Sequence, residues 1–319
     1  MIQFLMIMKT RTIFNIILLS LLIVPFLYSC TEKETKKEWK AQHVVLIGLD
    51  GWTANSLEKA DMPHTKKLMN EGSYTLKKRS ALPSSSAINW ASMFMGAGPE
   101  LHGYTTWGSQ TPDLESREIS HWGLFPSIWG LLRDQYPQAK IGYFYQWDGL
   151  QYLAEMEAMD IQVHTKADAE KGEKADELTV LNGCKYIEEH QPNLIGILVD
   201  EPDHMGHVAG FDSIPYMEKL AELDRYVGMI VESVKKAGIY DETIFIVTSD
   251  HGGIGKGHGE KTMVEMETVF IISGKNVKKG YHFTESMMQY DVASTIASIF
   301  CVEQPQVWIG RPMNQVFIK

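Results

Sequence analysis

Apolar residues follow two rhythms along this chain. Short β-branched runs occur at Val44-Val45-Leu46-Ile47-Gly48-Leu49, from Leu194 to Val199, and at Ile244-Phe245-Ile246-Val247-Thr248. Such runs are too short for helices and too continuous for a half-exposed strand, so they predict strands buried on both faces. Two further strands are expected over 141–145 and 269–272. Between these runs the apolar spacing changes to three and four. It is clearest over 216–236, through Leu220, Leu223, Val227, Ile230 and Val231, and predicts an amphipathic helix. Other helices are expected near 62–70, 87–95, 127–135, 168–190 and 291–300. Strands alternating with helices predict an α/β fold, with a central, mostly parallel sheet flanked by helices on both faces.

The first 29 residues break this rhythm. Lys9 and Arg11 precede an apolar stretch over 13–27, which ends in Leu27-Tyr28-Ser29-Cys30. The stretch is short for a membrane span and reads as a secretory signal. Its ending resembles a bacterial lipobox, which implies cleavage before Cys30 and a lipid anchor on that sulfur. Met8 is a second candidate start, and an uncleaved membrane anchor is the other reading of the segment. Both place the body outside the cytoplasm, in the periplasm or at the cell surface. Residues 31–40 are charged, with Trp39 as their one large apolar residue, and read as a solvated tether. The expected organisation is a signal over 1–29, a tether over 30–41 and one catalytic domain over 42–319.

With 319 residues, 44% of them hydrophobic and 22% charged, the chain can bury a full core. Removing residues 1–29 deletes two positive charges and takes the net charge from −10 to −12. So acidic a body is a poor match for nucleic acid held in a basic groove. If it binds a phosphate, bound cations must supply the positive charge. Beyond Cys30 only Cys184 and Cys301 remain. Two separate buried thiols are expected, and the absence of Cys-x-x-Cys excludes a zinc ribbon.

The chemistry sits where the apolar runs stop. Asp50 follows the first run, Asp200-Glu201-Pro202-Asp203 the second, and Ser249-Asp250-His251 the third. Ligand groups gather at strand ends in open α/β sheets. His207 stands four residues after Asp203, so both can face one way on a helical turn. Gly257-His258-Gly259 adds another imidazole in a glycine-rich loop. Carboxylates and imidazoles at one point form a divalent-metal site of zinc or manganese type. Two such ions can clamp the attacking and leaving oxygens of a phosphoryl transfer.

A nucleophile is available at Pro83-Ser84-Ser85-Ser86, just before an expected helix. Ser86 would lie at its amino end, where free N–H groups favour phosphate or an alkoxide. A serine cluster there also serves as an ordinary N-cap. Asn89 could donate to a phosphoryl oxygen from the first turn.

Leu-Asp-Gly at 49–51, Pro-Ser-x-Ser-x-x-Asn at 83–89, Glu-Pro-Asp-x-x-Gly-His at 201–207, Ser-Asp-His-Gly at 249–252 and Gly-His-Gly at 257–259 occur in that order. Together with Asp291-x-x-x-Thr295 and Trp308-x-Gly310-Arg311-Pro312, they resemble the alkaline phosphatase superfamily, and most its type I phosphodiesterase/nucleotide pyrophosphatase branch. The resemblance covers about residues 43–315. It implies one metal held by Asp50, Asp250, His251 and the nucleophile Ser86, a second held by Asp203, His207 and His258, and Asn89 on a phosphoryl oxygen. Many diesterases of the branch carry threonine where Ser86 stands. His204 and His282 are rivals to His258, and Asp200 is a rival to Asp203. Residues 84–90 lack the Pro and Arg of a Cys/Ser-x-Pro-x-Arg sulfatase setting.

The implied function is hydrolysis of a small phosphodiester or pyrophosphate through a covalent phosphoserine. No arginine lies within the matched catalytic motifs, which leans toward diesters over monoester dianions. A phosphomonoesterase or phosphonate hydrolase of the same fold is the second reading. A non-catalytic surface binding lipoprotein is the third. The aromatics between His102 and Tyr152 are expected mostly in the core, with some lining a pocket for a base or aryl group.

Overall fold

The computed structural model describes residues 38–166 and 174–319. One mixed sheet of eight strands runs through it. In chain order these are β1 (His43–Asp50), β2 (Gly72–Arg79), β3 (Ile141–Tyr145), β4 (Ile161–His164), β5 (Leu194–Pro202), β6 (Thr243–Thr248), β7 (Glu267–Gly274) and β8 (Tyr281–His282). Their spatial order is β4-β3-β5-β1-β6-β7-β2-β8. Every neighbouring pair is parallel except those made by β7, which runs against both β6 and β2.

The uninterrupted apolar runs follow from burial on both faces. Along β1, Val44 and Leu46 face one core and Val45, Ile47 and Leu49 face the other. The first core is covered by helices Ser86–Met95, Ile128–Gln135 and Asp291–Ile299. The second is covered by helices Pro63–Asn70, Ala175–His190 and Ile214–Lys236. Leu220, Leu223, Val227 and Ile230 of the last helix are buried, as their spacing requires. Among the described residues no helix is long and apolar enough to cross a membrane.

Several boundaries differ from the sequence reading. The second apolar run continues as strand to Pro202, and a short helix, Asp203–Ala209, follows it directly. The helix expected over 168–190 is described from Ala175; residues 167–173 lie outside the described residues, as do the signal and most of the tether. Strands β2, β4 and β8 have no counterpart in the apolar pattern. In β2 the reason is composition: Ser73, Thr75 and Lys78 are its buried polar positions. Cys184 and Cys301 are unpaired; Cys184 is buried, but Cys301 is only half-buried.

Because β5, β1 and β6 are adjacent and parallel, Asp50, Asp203 and the Ser249–His251 turn emerge at one edge of the sheet. The close approach behind that edge depends on Gly48. A Cβ there would stand 2.5 Å from both Leu198 and Trp90. Gly48→Ala is therefore expected to cost about 1–3 kcal/mol through overpacking. Urea unfolding measures this, and an unchanged midpoint would contradict the packing described.

Candidate metal centre and nucleophile

Ser86 is the first residue of its helix, and the Ser85 side chain at the cap position makes no capping hydrogen bond. The serine hydroxyls are thus not spent on the helix end. Ser86 Oγ lies 3.1 Å from His251 Nε2. That nitrogen is also 3.4 Å from Asp50 Oδ1 and 3.3 Å from Asp250 Oδ2. Next to this group, His207 Nε2 lies 3.2 Å from Asp203 Oδ2, and His258 Nε2 lies 3.7 Å from Asp203 Oδ1. The His251 and His258 rings stack at 3.8 Å. Two donor sets share Asp203: one is Asp203, His207 and His258, the other Asp50, Asp203 and His251. In both, the donor atoms lie within 4.8 Å of one another.

Each imidazole is fixed from behind. Nδ1 of His251 meets the Gly252 carbonyl at 2.8 Å, Nδ1 of His207 the Lys256 carbonyl at 2.9 Å, and Nδ1 of His258 the Ser84 carbonyl at 3.0 Å. A carbonyl only accepts, so each Nδ1 carries a proton; Nε2 of His251 and His258 then presents a lone pair inward, and Nε2 of His207 does so once it gives up the proton it donates to Asp203. Asp50 receives the Trp90 indole N–H at 3.0 Å, and Asp250 receives the Gly51 amide at 3.1 Å. The other oxygens have no such partner. Asp50 Oδ1, Asp203 Oδ1 and Asp250 Oδ2 are buried without a hydrogen bond. Orphaned carboxylate oxygens facing imidazole lone pairs are costly unless a cation joins them. The donor set fits divalent ions of zinc type.

The electrostatics without ions support this fit. Burial lifts Asp50 well above the usual carboxylate range, and the charges of Asp250 and Asp203 add to it. Burial also pushes Asp250 up to about 7. Burial opposes ionisation of Asp203, but the hydrogen bond from His207 and the surrounding imidazoles outweigh it and hold its pKa low. The same hydrogen bond raises His207 to about 9. Burial lowers His258 to about 4. His207 Nε2 and His258 Nε2 approach to 3.1 Å, so the extra proton sits between acceptors where a metal ion would sit.

Not every expected residue reaches this centre. The amide of Asn89 is used within its own loop: Oδ1 accepts from Ala81 N at 2.6 Å, and Nδ2 donates to the carbonyls of Ala81, Pro83 and Ser85. Asn89 pins the 81–86 loop that presents Ser86. His282 stacks on Tyr74 in β8, at the sheet's edge. Asp200 and His204 line the cleft but belong to neither donor set.

The cleft above Ser86 has a volume of about 430 Å³ and is lined by Ser85, Asp200, Asp203, His204, His207 and His258 together with Trp107 and Trp147. The two indoles stand 6.5 Å apart at 26°. Trp107 is 63% exposed, unlike most aromatics of its segment. Asp113 holds its loop by accepting from Thr105, Thr106 and Ser109. The sequence marked this segment as aromatic but could not separate these two rings from the core.

This architecture is that of the alkaline phosphatase superfamily. Murine ectonucleotide pyrophosphatase/phosphodiesterase 5, solved as an inactive variant in complex with AMP, matches with a TM-score of 0.66 at 16% identity, over 83% of this chain and 96% of that one. A 2-O GAG sulfatase matches with a TM-score of 0.69 at 12% identity, over 86% and 73%. The chain belongs to the type I phosphodiesterase/nucleotide pyrophosphatase family, whose model matches residues 44–306. Ectonucleotide pyrophosphatase/phosphodiesterase family member 1 of Mus musculus is 28% identical over 229 residues, 69% of this chain and 25% of that protein. The bis(5'-adenosyl)-triphosphatase enpp4 of Xenopus laevis is 24% identical over 247 residues, 72% of this chain and 52% of that one. The chain thus spans about a quarter to a half of the length of these relatives.

A divalent ion bound here would displace protons from His207, at about 9, from Asp250, at about 7, and from Asp50, which burial holds well above the usual carboxylate range. Affinity should rise with pH, by about tenfold per pH unit for each proton released. Between pH 7 and 9 at least one such proton is expected, and below pH 7 at least two. Zinc titrations across this range, with proton release followed in weak buffer, measure the slope. A pH-independent affinity would contradict the assignment of these side chains as ligands.

Proposed function

We propose that the chain is an exported, metal-dependent hydrolase of phosphodiester or pyrophosphate bonds that works through a phosphoserine on Ser86. One observation carries this reading. Ser86 Oγ, on the first turn of a helix, faces two adjoining sets of unpaired carboxylate oxygens and imidazole lone pairs. Divalent ions held by Asp50, Asp250, His251 and Ser86, and by Asp203, His207 and His258, would lower the pKa of the hydroxyl and offset the charge of the phosphate. Their nitrogen and oxygen donors suit zinc, and manganese is the other candidate.

The protein's own part is positional. The Asn89-pinned loop and the helix N-terminus aim Ser86 Oγ into the cleft. Oγ loses its proton to solvent and attacks phosphorus, and the bond from phosphorus to the leaving oxygen breaks. That oxygen takes up a proton. Water then attacks the phosphoserine, the P–Oγ bond breaks, and Ser86 recovers its proton. Buried Asp50 and Asp250 keep the donor geometry through both steps because Trp90 and Gly51 hold them.

Among the described residues, no lysine or arginine lines the cleft. A monoester dianion is best matched by such a partner, so this lining favours the single charge of a diester. The indoles of Trp107 and Trp147 offer a planar surface to the group beyond the phosphate. Nucleotide-like esters, as in the names of the relatives, suit that surface. Sulfate esters fit less well, because Ile88 and Trp90 stand where the sulfatase setting has Pro and Arg.

Export and the lipid anchor at Cys30 rest on residues 1–30, outside the described residues. Trp39 packs edge-on against Tyr136 and Phe300, and the chain enters β1 at His43. Asp50 and the cleft lie at the other end of that strand.

Zinc-loaded protein should hydrolyse bis-p-nitrophenyl phosphate faster than p-nitrophenyl phosphate. Ser86→Ala should lower kcat by on the order of 10³-fold or more while zinc content stays unchanged. Wild-type turnover in that variant would remove Ser86 as nucleophile. A strong monoester preference would overturn the diester reading, and an inert zinc-loaded wild type would favour a binding protein.

A further inference from the structure

Behind the metal centre lies a cation that the chemistry above does not use. Lys78 is the only lysine or arginine buried among the described residues. It sits on β2 at the point where the pairing of that strand with β7 shifts register. Its Nζ donates to the Ser249 carbonyl at 2.5 Å and to Gln289 Oε1. Gln289, itself fully buried, donates through Nε2 to the same Ser249 carbonyl at 3.3 Å. Two side chains from outside β6 thus converge on one backbone oxygen, at the residue before Asp250.

That residue is a pivot. Ser249 Oγ accepts from the Trp52 amide at 2.8 Å and donates to the His251 carbonyl at 2.9 Å. The turn that carries Asp250 and His251 is therefore held at its carbonyl by Lys78 and Gln289, and at its hydroxyl by Trp52. The opposing charges facing the ammonium are Asp250 and Asp291. Asp291 is held in turn by the amides of Met288 and Arg311. A lysine removed from water at such cost needs a fixed set of partners. Here the carbonyl of Ser249, directly before Asp250 in one half of the ligand set, receives both Lys78 and Gln289. The other half, Asp203, His207 and His258, is anchored by different atoms: the carbonyls of Lys256 and Ser84.

We propose that Lys78, with Gln289, is the positioning residue of the Asp50–Asp250–His251 centre and that it acts on that centre alone. It holds the Ser249–His251 turn so that Asp250 Oδ2 and His251 Nε2 keep their places beside Ser86. The proposal rests on the two-metal reading. It extends that reading by giving the two centres separate supports, and hence separate sensitivities.

The test is a zinc titration of the full chain, read by metal content and calorimetry and so independent of turnover. Wild type should bind two ions. Lys78→Met should leave one ion within about twofold of its wild-type affinity and weaken the other about tenfold or more, the usual scale for losing an outer support of a metal ligand. Turnover of bis-p-nitrophenyl phosphate should fall with the second ion and recover as zinc is raised. Gln289→Leu should weaken the same ion by a smaller factor, and it decides the matter if Lys78→Met does not fold. Equal losses at both centres, or unchanged affinities in whichever variant folds, would overturn the proposal. Tighter binding in Lys78→Met would overturn it too, because the ammonium would then act only as a charge repelling the metal. Fewer than two ions on the wild type would instead count against the two-metal reading itself.

Discussion

Charge taken out of water is the constraint on which this structure turns. Asp50 and Asp250 are buried almost completely, and Asp203 is shielded beside them. Each leaves one oxygen without a hydrogen bond, and imidazole nitrogens fixed from behind by backbone carbonyls stand beside them. A protein interior resists such a grouping by several kcal/mol per unpaired ion. The sheet imposes it nonetheless. Three adjacent parallel strands end together, and their apolar bodies, covered on both faces, supply the burial that holds the ends in place. Divalent cations would convert this local cost into binding free energy, and the ordinary hydrogen bonds around the candidate ligands would keep the arrangement ready for them.

The supports form a second layer with its own logic. Trp90 reaches Asp50 from the helix that also carries Ser86, so the candidate nucleophile and the support of a candidate ligand share one rigid element. The loop after His251 is closed onto the helix of His207 by three contacts: Phe211 N to the Gly255 carbonyl, His207 Nδ1 to the Lys256 carbonyl, and Lys256 Nζ to the Val208 carbonyl. His258 returns from that loop to the Ser84 carbonyl beside the nucleophile. Glycine-rich backbone thereby becomes a fixed wall of the cleft rather than a free flap. The aromatic shelf of Trp107 and Trp147 is the part that meets solvent, and there recognition of the ester's organic portion has room to vary.

Much of this was legible in the sequence because burial on both faces writes itself as unbroken apolar runs. The runs marked β1, β5 and β6, and the acidic residues that end them marked the candidate ligands. The family resemblance then assigned them to two ions. What stayed hidden has physical causes. Strand β2 is buried through Ser73, Thr75 and Lys78, so its polar sequence conceals it, and a lysine in such a strand reads as solvent-facing. Asn89 stands at the spacing of a phosphoryl donor, but helix grammar cannot say which way an amide turns; it turns inward to its own loop. Asp203 fell in one ligand set by resemblance, yet its two oxygens touch both. Trp107 looked like its core neighbours, and only the fold exposes it.

The central claim is that the buried acidic edge is completed by two cations beside Ser86. Crystals of the zinc-loaded protein, measured on both sides of the zinc absorption edge, address it directly. The account expects two anomalous peaks about 3.5–4 Å apart, one among Asp50, Asp250, His251 and Ser86, the other among Asp203, His207 and His258. Density for zinc at neither place, or only at sites remote from these side chains, would contradict it.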